Sequence, residues 1–216
     1  ELGRAARRFL EVESTTDKLR AAFGSDELYD AELYKRIAEE LGWLALLIPE
    51  EYDGLGLTAV DLMPILEEMG RSLYRGPFFS TVCLGVNALL LGGSAAQKEE
   101  ILPLVAAGEE TLTLAYSEPH GRHEIDAIET HFEERGDEFV LHGVKRYVLD
   151  GVSADRVIVA ARSKGSVGEE GIRLFVVPGD AEGLTRKRLP TLDISRNEAE
   201  LIFEGVRVGR DAVVGA

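Results

Sequence analysis

Residues that could do chemistry are concentrated between positions 112 and 151 of this 216-residue chain. Three of the four histidines in this stretch lie close to one another and to a glutamate: His120, His123, Glu124 and His131. Imidazoles three residues apart with a nearby carboxylate are ligand types that transition metals take from proteins. The stretch has no cysteine, however, and it lacks the His-Glu-x-x-His frame that places two imidazoles on one helix face. We therefore predict a polar, solvent-facing loop here and no metal site.

Two further kinds of residue invite a catalytic interpretation. Adjacent glutamates occur three times, but neighbours in sequence do not face each other on a helix, so we predict solvated surface. These pairs are Glu39-Glu40, Glu50-Glu51 and Glu99-Glu100. Cys83 is the single cysteine and lies among apolar residues, which favours a small hydrophobe over a nucleophile. None of these residues is predicted to be catalytic.

The elements that must position this chemistry are strand-like. An apolar run (Leu112, Leu114, Tyr116) ends at Ser117-Glu118-Pro119, because proline lacks the backbone donor that sheet pairing needs. Alternating segments at residues 138–142 and 145–149 then predict a hairpin closed near Gly143. A strand, a polar loop and a hairpin carrying the aromatic Tyr147 could hold a flat ligand edge-on.

Composition excludes several classes of protein. The hydrophobic fraction of 45% and charged fraction of 29% are ordinary for a globular protein with a real core. A net charge of −15 argues against a nucleic-acid partner, since phosphate backbones need clustered Lys and Arg. No apolar run reaches membrane-spanning length, the start is unlike a signal peptide, and one cysteine fits a reducing cytoplasm. Because the first residue is not Met, we expect a fragment, a processed form or part of a longer chain.

The wider pattern predicts an α+β protein, with an N-terminal all-α helical domain (residues 1–109) followed by a small β-barrel or sandwich domain (110–216). Helix signals include Asp30 as an N-cap, and capping boxes at Thr58 with Asp61 and at Ser94 with Gln97. A further helix is expected from about Phe78 to Leu91. Beyond Thr111, short β-branched and aromatic runs alternate with Gly and Pro clusters. Strands and helices do not alternate, which argues against a doubly wound sheet.

Several of these segments resemble the acyl-CoA dehydrogenase family. Ser117-Glu118-Pro119, residues 143–151 and Ala154-Asp155 are similar to the Thr-Glu-Pro, Asn-Gly-x-Lys-x-Trp-Ile-Thr-Asn and Ala-Asp motifs of its middle domain. Residues 48–56 resemble its proline-then-glycine loop, and residues 97–103 and 107–109 the segment before the β-domain. With the final strand near Val206, the resemblance covers roughly residues 31–216. Each motif is weak alone, but their order strengthens the assignment.

The resemblance implies FAD as cofactor. Carried over position by position, the flavin-binding residues are Leu114, Ala115, Tyr116, Ser117, Tyr147, Val148 and Leu149. Ser117 keeps the hydroxyl of the family's Thr, and Tyr147 keeps an aromatic face in place of Trp. Leu149 replaces a Thr, so a hydroxyl that would bond the flavin ring is gone. The alternative is that these are ordinary β-strands, with Tyr147 and Leu149 packed in a core.

A second departure from the family lies in the loop after Pro119. Where the family has Ala-Gly-Ser-Asp, this chain has Gly121-Arg122-His123-Glu124. Arg122 and His123 are therefore candidate substrate-binding residues. They could contact the phosphates of CoA or of the flavin, or they could block the family's usual substrate approach.

The function implied by the resemblance is α,β-dehydrogenation of an acyl-CoA thioester in fatty-acid metabolism. The family's catalytic glutamate belongs to a C-terminal helical domain that this sequence lacks, so we name no catalytic residue. The chain could be a fragment of such an enzyme, a non-catalytic partner subunit of a heteromeric dehydrogenase, or an acyl-CoA-binding module. By family analogy we expect a homo- or hetero-oligomer, with an electron-transferring flavoprotein as electron acceptor.

Overall fold

A computed structural model describes residues 1–23 and 25–215. The sequence predicts a helix break at the Gly24-Ser25-Asp26 cluster, of which Gly24, like Ala216, lies outside the described residues. The helices are α1 (Leu2–Glu13), α2 (Thr16–Phe23), α3 (Ala31–Glu39), α4 (Ala59–Arg71), α5 (Asn87–Gly92) and α6 (Ala95–Ala106), and a π-helical segment (Phe79–Val86) leads into α5. The strands are β1 (Leu112–Ala115), β2 (His131–Arg135), β3 (Glu138–Leu149), β4 (Arg156–Ser163), β5 (Ile172–Pro178), β6 (Leu184–Arg188) and β7 (Glu198–Gly209). The predicted order, helices and then strands, is confirmed.

The helix starts follow the capping signals in the sequence. The carboxylate of Asp30 accepts a hydrogen bond from the Leu33 amide at 2.9 Å. The Ser94 hydroxyl and the Gln97 side chain exchange hydrogen bonds with each other's backbone amides at the start of α6. These contacts satisfy amides that have no partner within the helix. The predicted helix from Phe78 to Leu91 is also present, although much of it is wound as the π-helical segment.

The strands form one curled, mixed sheet in the order β1-β4-β2-β3-β7-β6, with β5 paired to β4. β4 pairs in parallel with β1 and β2, and the other pairings are antiparallel. Phe132, Phe139 and Phe175 meet edge to face inside the curl, with ring centroids 4.9–5.5 Å apart. This half-barrel agrees with the predicted small β-barrel or sandwich.

The predicted hairpin at Gly143 is wrong. Residues 138–149 form a single strand, β3, which pairs with β7 on both sides of Gly143. The alternation of side chains changes there because the register shifts between Leu141 and His142, and the chain does not turn back. The actual hairpin joins β2 to β3 through Gly136 and Asp137.

Helices pack on the outer face of the sheet through a shared apolar core. Ile48, Val86 and Ile101 from the helical part contact Leu112 and Ile158 from the strands, and all five are buried. The Thr81 hydroxyl also bonds both to the Leu112 amide and to its carbonyl oxygen. The π-helical segment is thereby fixed against β1. Among the described helices, none is long and apolar enough to cross a membrane.

Candidate functional site

The end of β1 and the second half of β3 lie side by side. The Arg146 amide donates to the Ser117 carbonyl oxygen at 2.9 Å, and the Thr113 hydroxyl donates to the Leu149 carbonyl oxygen at 2.6 Å. The two segments proposed from the resemblance, residues 114–117 and 147–149, are thus brought together. They are 30 residues or more apart in sequence, and side-chain bonds as well as backbone bonds join them.

A buried ion pair supports this arrangement. The ammonium group of Lys145 is fully buried and lies 2.7 Å from a Glu118 carboxylate oxygen and 3.1 Å from the Tyr116 carbonyl oxygen. Glu118 also accepts hydrogen bonds from the amides of Glu129 and Thr130, at 2.8 and 2.9 Å. One carboxylate therefore holds together the end of β1, the loop after it and β3.

The electrostatics of the pair favour an ionised glutamate. Burial raises the pKa of Glu118, but Lys145 and the two backbone amides outweigh it, so the pKa is lowered overall. Burial lowers the pKa of Lys145, which Glu118 partly restores. The ion pair is the form that we favour, because the two amides stabilise the charged carboxylate more than the neutral acid. Neither residue has a role in the predictions made from the sequence. The available signal was a lysine within a segment predicted to be a strand.

Tyr147 occupies an irregularity in β3. The register against β7 shifts between Lys145 and Val148, and Tyr147 has a φ of +59°, which costs a non-glycine residue about 1 kcal/mol or more. Its side chain is 51% exposed, with the Arg146 guanidinium 5.5 Å from the ring centre. The alternative that places Tyr147 in a core is therefore wrong. An aromatic face is held at the surface beside β1.

Beside Leu149, a cavity of about 350 Å³ opens between the helical part and the β part. One wall is mainly apolar and comes from α4, the loop after it and the start of the π-helical segment; it includes Leu66, Met69, Leu73, Phe78 and Phe79. The other wall is polar and comes from the end of β3 and the loop before β7; it includes Asp150, Asp193, Ser195, Arg196 and Asn197. The half-buried Leu149 lies both at this cavity and where β3 meets β1. No local pattern predicts the cavity, because its residues come from distant segments of the chain.

The two candidate substrate-binding residues lie on an exposed loop. Arg122 is within 3.4 Å of Glu124 and 3.6 Å of Asp126, and the His123 carbonyl oxygen accepts a hydrogen bond from the Tyr116 hydroxyl at 2.8 Å. Neither residue lines the cavity beside Leu149. Their contact with a substrate stays a prediction.

Other candidates from the sequence are placed as follows. His131 lies on β2 and stacks on His142, with ring centres 5.7 Å apart, instead of joining His120 and His123. Ligand atoms of Glu118, His120 and Glu129 lie within 4.8 Å of one another, but Glu118 is already engaged by Lys145.

The six paired glutamates are exposed, as predicted. Burial raises the pKa of the Cys83 thiol to about 11, which agrees with an unreactive side chain.

The hydrogen-bond donors and acceptors where the end of β1 meets β3 suit a flat ring with polar edges, which is the form of the flavin that the resemblance implies. The backbone of β1 and the Ser117 hydroxyl offer hydrogen bonds, and Tyr147 offers an exposed aromatic face. Leu149 supplies only apolar contact. The set therefore fits a flavin with one hydroxyl fewer than the family pattern.

The class of protein is defined by a helical domain followed by a curled β-domain, with a cavity between the two and the exposed ring of Tyr147 beside β1. The family model for the N-terminal domain of acyl-CoA dehydrogenases matches residues 1–109, and the model for their middle domain matches residues 113–206. This chain belongs to the acyl-CoA dehydrogenase family.

Known proteins similar to this chain agree with that assignment. The mitochondrial isovaleryl-CoA dehydrogenase of Pongo abelii is 32% identical over 85% of this chain and 45% of its own length. The mitochondrial short-chain specific acyl-CoA dehydrogenase of Mus musculus is 31% identical over 99% of this chain and 52% of its own length. A glutaryl-CoA dehydrogenase from Mycobacterium smegmatis, solved in complex with FADH2, superposes with a TM-score of 0.86 at 26% identity, over 100% of this chain and 55% of that one. The chain spans about half the length of the curated relatives it matches.

Proposed function

We propose that this chain is the flavin- and acyl-binding part of an FAD-dependent acyl-CoA dehydrogenase, which catalyses α,β-dehydrogenation of an acyl-CoA thioester. The observation that carries the proposal is the contact of the end of β1 with β3, held by the buried Lys145–Glu118 ion pair beside an exposed Tyr147. A bound flavin would supply the two-electron acceptor that this oxidation requires. We place the boundary between the helical domain and the β-domain at residues 109 and 110.

Each residue of the site has a binding or positioning role in this proposal. The backbone of Leu114, Ala115 and Tyr116, with the Ser117 hydroxyl, would bond the polar edge of the flavin ring. Tyr147 would contact the ring, and Val148 and Leu149 would line it with apolar atoms. The apolar wall of the cavity would exclude water from the acyl group, which strengthens polar interactions inside.

The carboxylate that removes the substrate α-proton is assigned to none of the described residues. A working enzyme therefore needs a glutamate from further polypeptide, either in the same chain or in a partner. By family analogy we propose that the chain acts in a homo- or hetero-oligomer and passes electrons to an electron-transferring flavoprotein. Arg122 and His123 are proposed to contact CoA phosphates from the exposed loop.

A second function is favoured by one observation. Leu149 cannot donate or accept the hydrogen bond that the family's Thr makes at this position. This change would suit a non-catalytic partner subunit, or an acyl-CoA-binding module, that shapes an acyl site without a working flavin.

Visible absorption of the purified chain, before and after addition of FAD, tests the proposal. We expect a flavin band at about one per chain, with intact mass recorded on the same sample. Leu149→Thr should bind FAD more tightly because it restores a hydroxyl, and Tyr147→Ala more weakly because it removes the aromatic face. Val167→Ala, at an exposed loop, is the control and should change nothing.

A colourless protein that stays colourless with added FAD, including as Leu149→Thr, contradicts flavin binding by this chain. If that protein still binds acyl-CoA, the second function is supported. If it binds neither flavin nor acyl-CoA, both functions are contradicted.

A further inference from the structure

Two histidines lie opposite each other on neighbouring strands of the sheet. His131 of β2 and His142 of β3 are partners in the antiparallel register. Their rings are stacked, with centres 5.7 Å apart and planes inclined by 23°. Both residues are half-buried, while the residues next to them, Phe132 and Leu141, are buried in the core of the curl. Because side chains alternate along a strand, the two imidazoles lie together on the face turned away from that core.

One nitrogen of His131 is positioned to act as a metal ligand. Its Nδ1 forms a long hydrogen bond, 3.4 Å, with the carbonyl oxygen of Glu129. A carbonyl oxygen only accepts, so this contact requires the proton of the neutral ring to be on Nδ1 and leaves a lone pair on Nε2. Metal-binding histidines are commonly held in this way, by a backbone carbonyl on the nitrogen that does not bind the metal. Nε2 of His131 is therefore the atom available to an ion.

Space for an ion is present beside His142. The register of β3 against β7 shifts there, and Gly205 is the extra residue of β7. The nearest atom to a Cβ added at Gly205, its chain neighbours aside, is the His142 Cε1 at 3.7 Å. The glycine thus leaves the flank of this imidazole open.

Two acidic residues lie on the same face near the rings. Glu204 of β7 is opposite His142 and is exposed. Glu133 lies further along the same face of β2, but its carboxylate pairs with Arg135 and Lys164, at 3.2 and 2.6 Å. Glu204 is therefore the carboxylate that can turn towards a bound cation.

One cation lies near the rings as well. Arg162 of β4 is opposite His131, and a free guanidinium there would repel a metal ion. Its nitrogens donate to the Ser166 hydroxyl and to the carbonyl oxygens of Asp126 and Gly168. These contacts bind the guanidinium to the surrounding loops and not to either imidazole.

The separation of the rings suits two ligands of one metal ion. Zn–N bonds of about 2.0–2.1 Å place two bound nitrogens about 3–4 Å apart. Rings with centres 5.7 Å apart reach that separation by rotation about χ2, which is a soft torsion in histidine. Imidazole is a ligand type that Zn²⁺, Cu²⁺ and Ni²⁺ favour.

We propose that His131 and His142 form a site for one divalent transition-metal ion of the zinc type, with Glu204 and water as the remaining ligands. The ion would clip β2 to β3 beside Gly143, whose backbone already approaches Thr130 closely. The site does not depend on the proposed function, because none of its ligands is among the residues assigned to flavin or substrate.

Isothermal titration calorimetry with ZnCl₂ tests the site. The 216-residue chain is used without a histidine tag, since it contains only four histidines of its own. We expect one ion per chain. His131→Ala and His142→Ala should each weaken binding about tenfold or more, because loss of a residue that only supports a ligand already costs that much. Circular dichroism of each variant shows whether it is folded.

His120→Ala is the matched control. The ligand atoms of His120, Glu118 and Glu129 lie within 4.8 Å of one another, but the Lys145 ammonium is 2.7 Å from the Glu118 carboxylate. A metal ion there would compete with a buried cation. We therefore expect this variant to keep the affinity of the unchanged chain.

Nitrogen NMR of the ¹⁵N-labelled chain identifies the bound atoms without any substitution. Zn²⁺ should shift the Nε2 signal of His131, leave its Nδ1 protonated, and shift one nitrogen of His142. The urea midpoint should also rise with Zn²⁺ in the unchanged chain and in His120→Ala, because the ion binds only the folded state. It should not rise in His131→Ala or His142→Ala.

Three results would overturn the inference. Absence of binding at one ion per chain removes the site. Binding that is lost in His120→Ala but kept in folded His131→Ala places the ion in the loop after β1 instead. NMR shifts confined to His120 and His123 lead to the same conclusion, even if a variant fails to fold.

Discussion

Lys145 and Glu118 show how a charged pair can organise a site from inside the protein. Removing one partner of a buried pair leaves the other charge unpaired in a low-dielectric environment, which is far more costly than loss of a surface pair. Glu118 is held by two backbone amides in addition to Lys145, so it cannot readily move to solvent. The pair therefore determines how β1 meets β3.

Lys145→Met should destabilise the protein by about 3–5 kcal/mol, measured by urea unfolding, because Glu118 would stay buried without its cation. Lys164→Met is the matched control. Its partner is Glu133, at 2.6 Å, but the lysine side chain is 63% exposed. This control should cost about 0–1 kcal/mol. Equal losses in the two variants would show that the buried pair is not what holds these strands.

Glu68 joins α1 to α4 by accepting from Arg7 and Arg71, at 2.6 and 2.7 Å. Hydrogen bonds from the two guanidinium groups lower the pKa of its carboxyl from 4.5 to about 2. The stabilisation is therefore fully present above pH 4.5 and is lost as pH falls towards 2. We expect the urea midpoint to decrease over that range, and Glu68→Gln to show a smaller decrease. Parallel pH profiles for the two proteins would contradict this role.

At the scale of elements, β3 contains two irregularities, one at Gly143 and one at Tyr147. Gly143 has a φ of +143°, and a Cβ added there would lie 2.6 Å from the Thr130 Cα. Tyr147 lies four residues further on, at the second shift of register. Because a bulge re-aims the residue beside it, the regular pairing of β3 is interrupted where the ring of Tyr147 reaches the surface.

Gly143→Ala should lower the free energy of unfolding by clearly more than 1 kcal/mol, since it adds a backbone clash to the cost of a positive φ. Gly136→Ala isolates the cost of the positive φ, because the φ of Gly136 is +64° but nothing lies within 4 Å of an added Cβ. We expect the control to lose about 1 kcal/mol in the same denaturation assay. If both variants lose the same amount, the close approach to Thr130 is unimportant.

Elements were predictable from the sequence where their signals are local. Capping at Asp30 and Ser94 depends on residues three positions away, and the structure has both contacts. The hairpin at Gly143 failed because a glycine at a bulge and a glycine in a turn look alike in one sequence. What distinguishes them is the partner strand, β7, which follows about 50 residues later.

At the scale of the whole molecule, the helical part and the β part share an apolar core. Ile158 is buried on β4 among residues from α5 and α6, whereas the single Trp43 lies in the helical core. We therefore expect the two parts to unfold together. Ile158→Ala should shift the unfolding transition followed by Trp43 fluorescence by about 2–5 kcal/mol, the usual cost of such a truncation.

Val167→Ala, at an exposed position, provides the control and should stay within about 0.5 kcal/mol. A Trp43 transition that does not respond to Ile158→Ala would mean that the helical part unfolds independently of the sheet.

The sequence by itself determined the order of helices and strands, the starts of α3, α4 and α6, the family and the two segments proposed for the flavin. These depend on periodicity, capping and short motifs, all of which act over a few residues. Only the tertiary structure decided that β1 and β3 are joined by Lys145 and Glu118, that Tyr147 is exposed, and that a buried Arg75 lines a cavity beside Leu149. The physical reason is that burial and charge pairing depend on which distant residues surround a group. The residues next to that group in the sequence do not identify those neighbours.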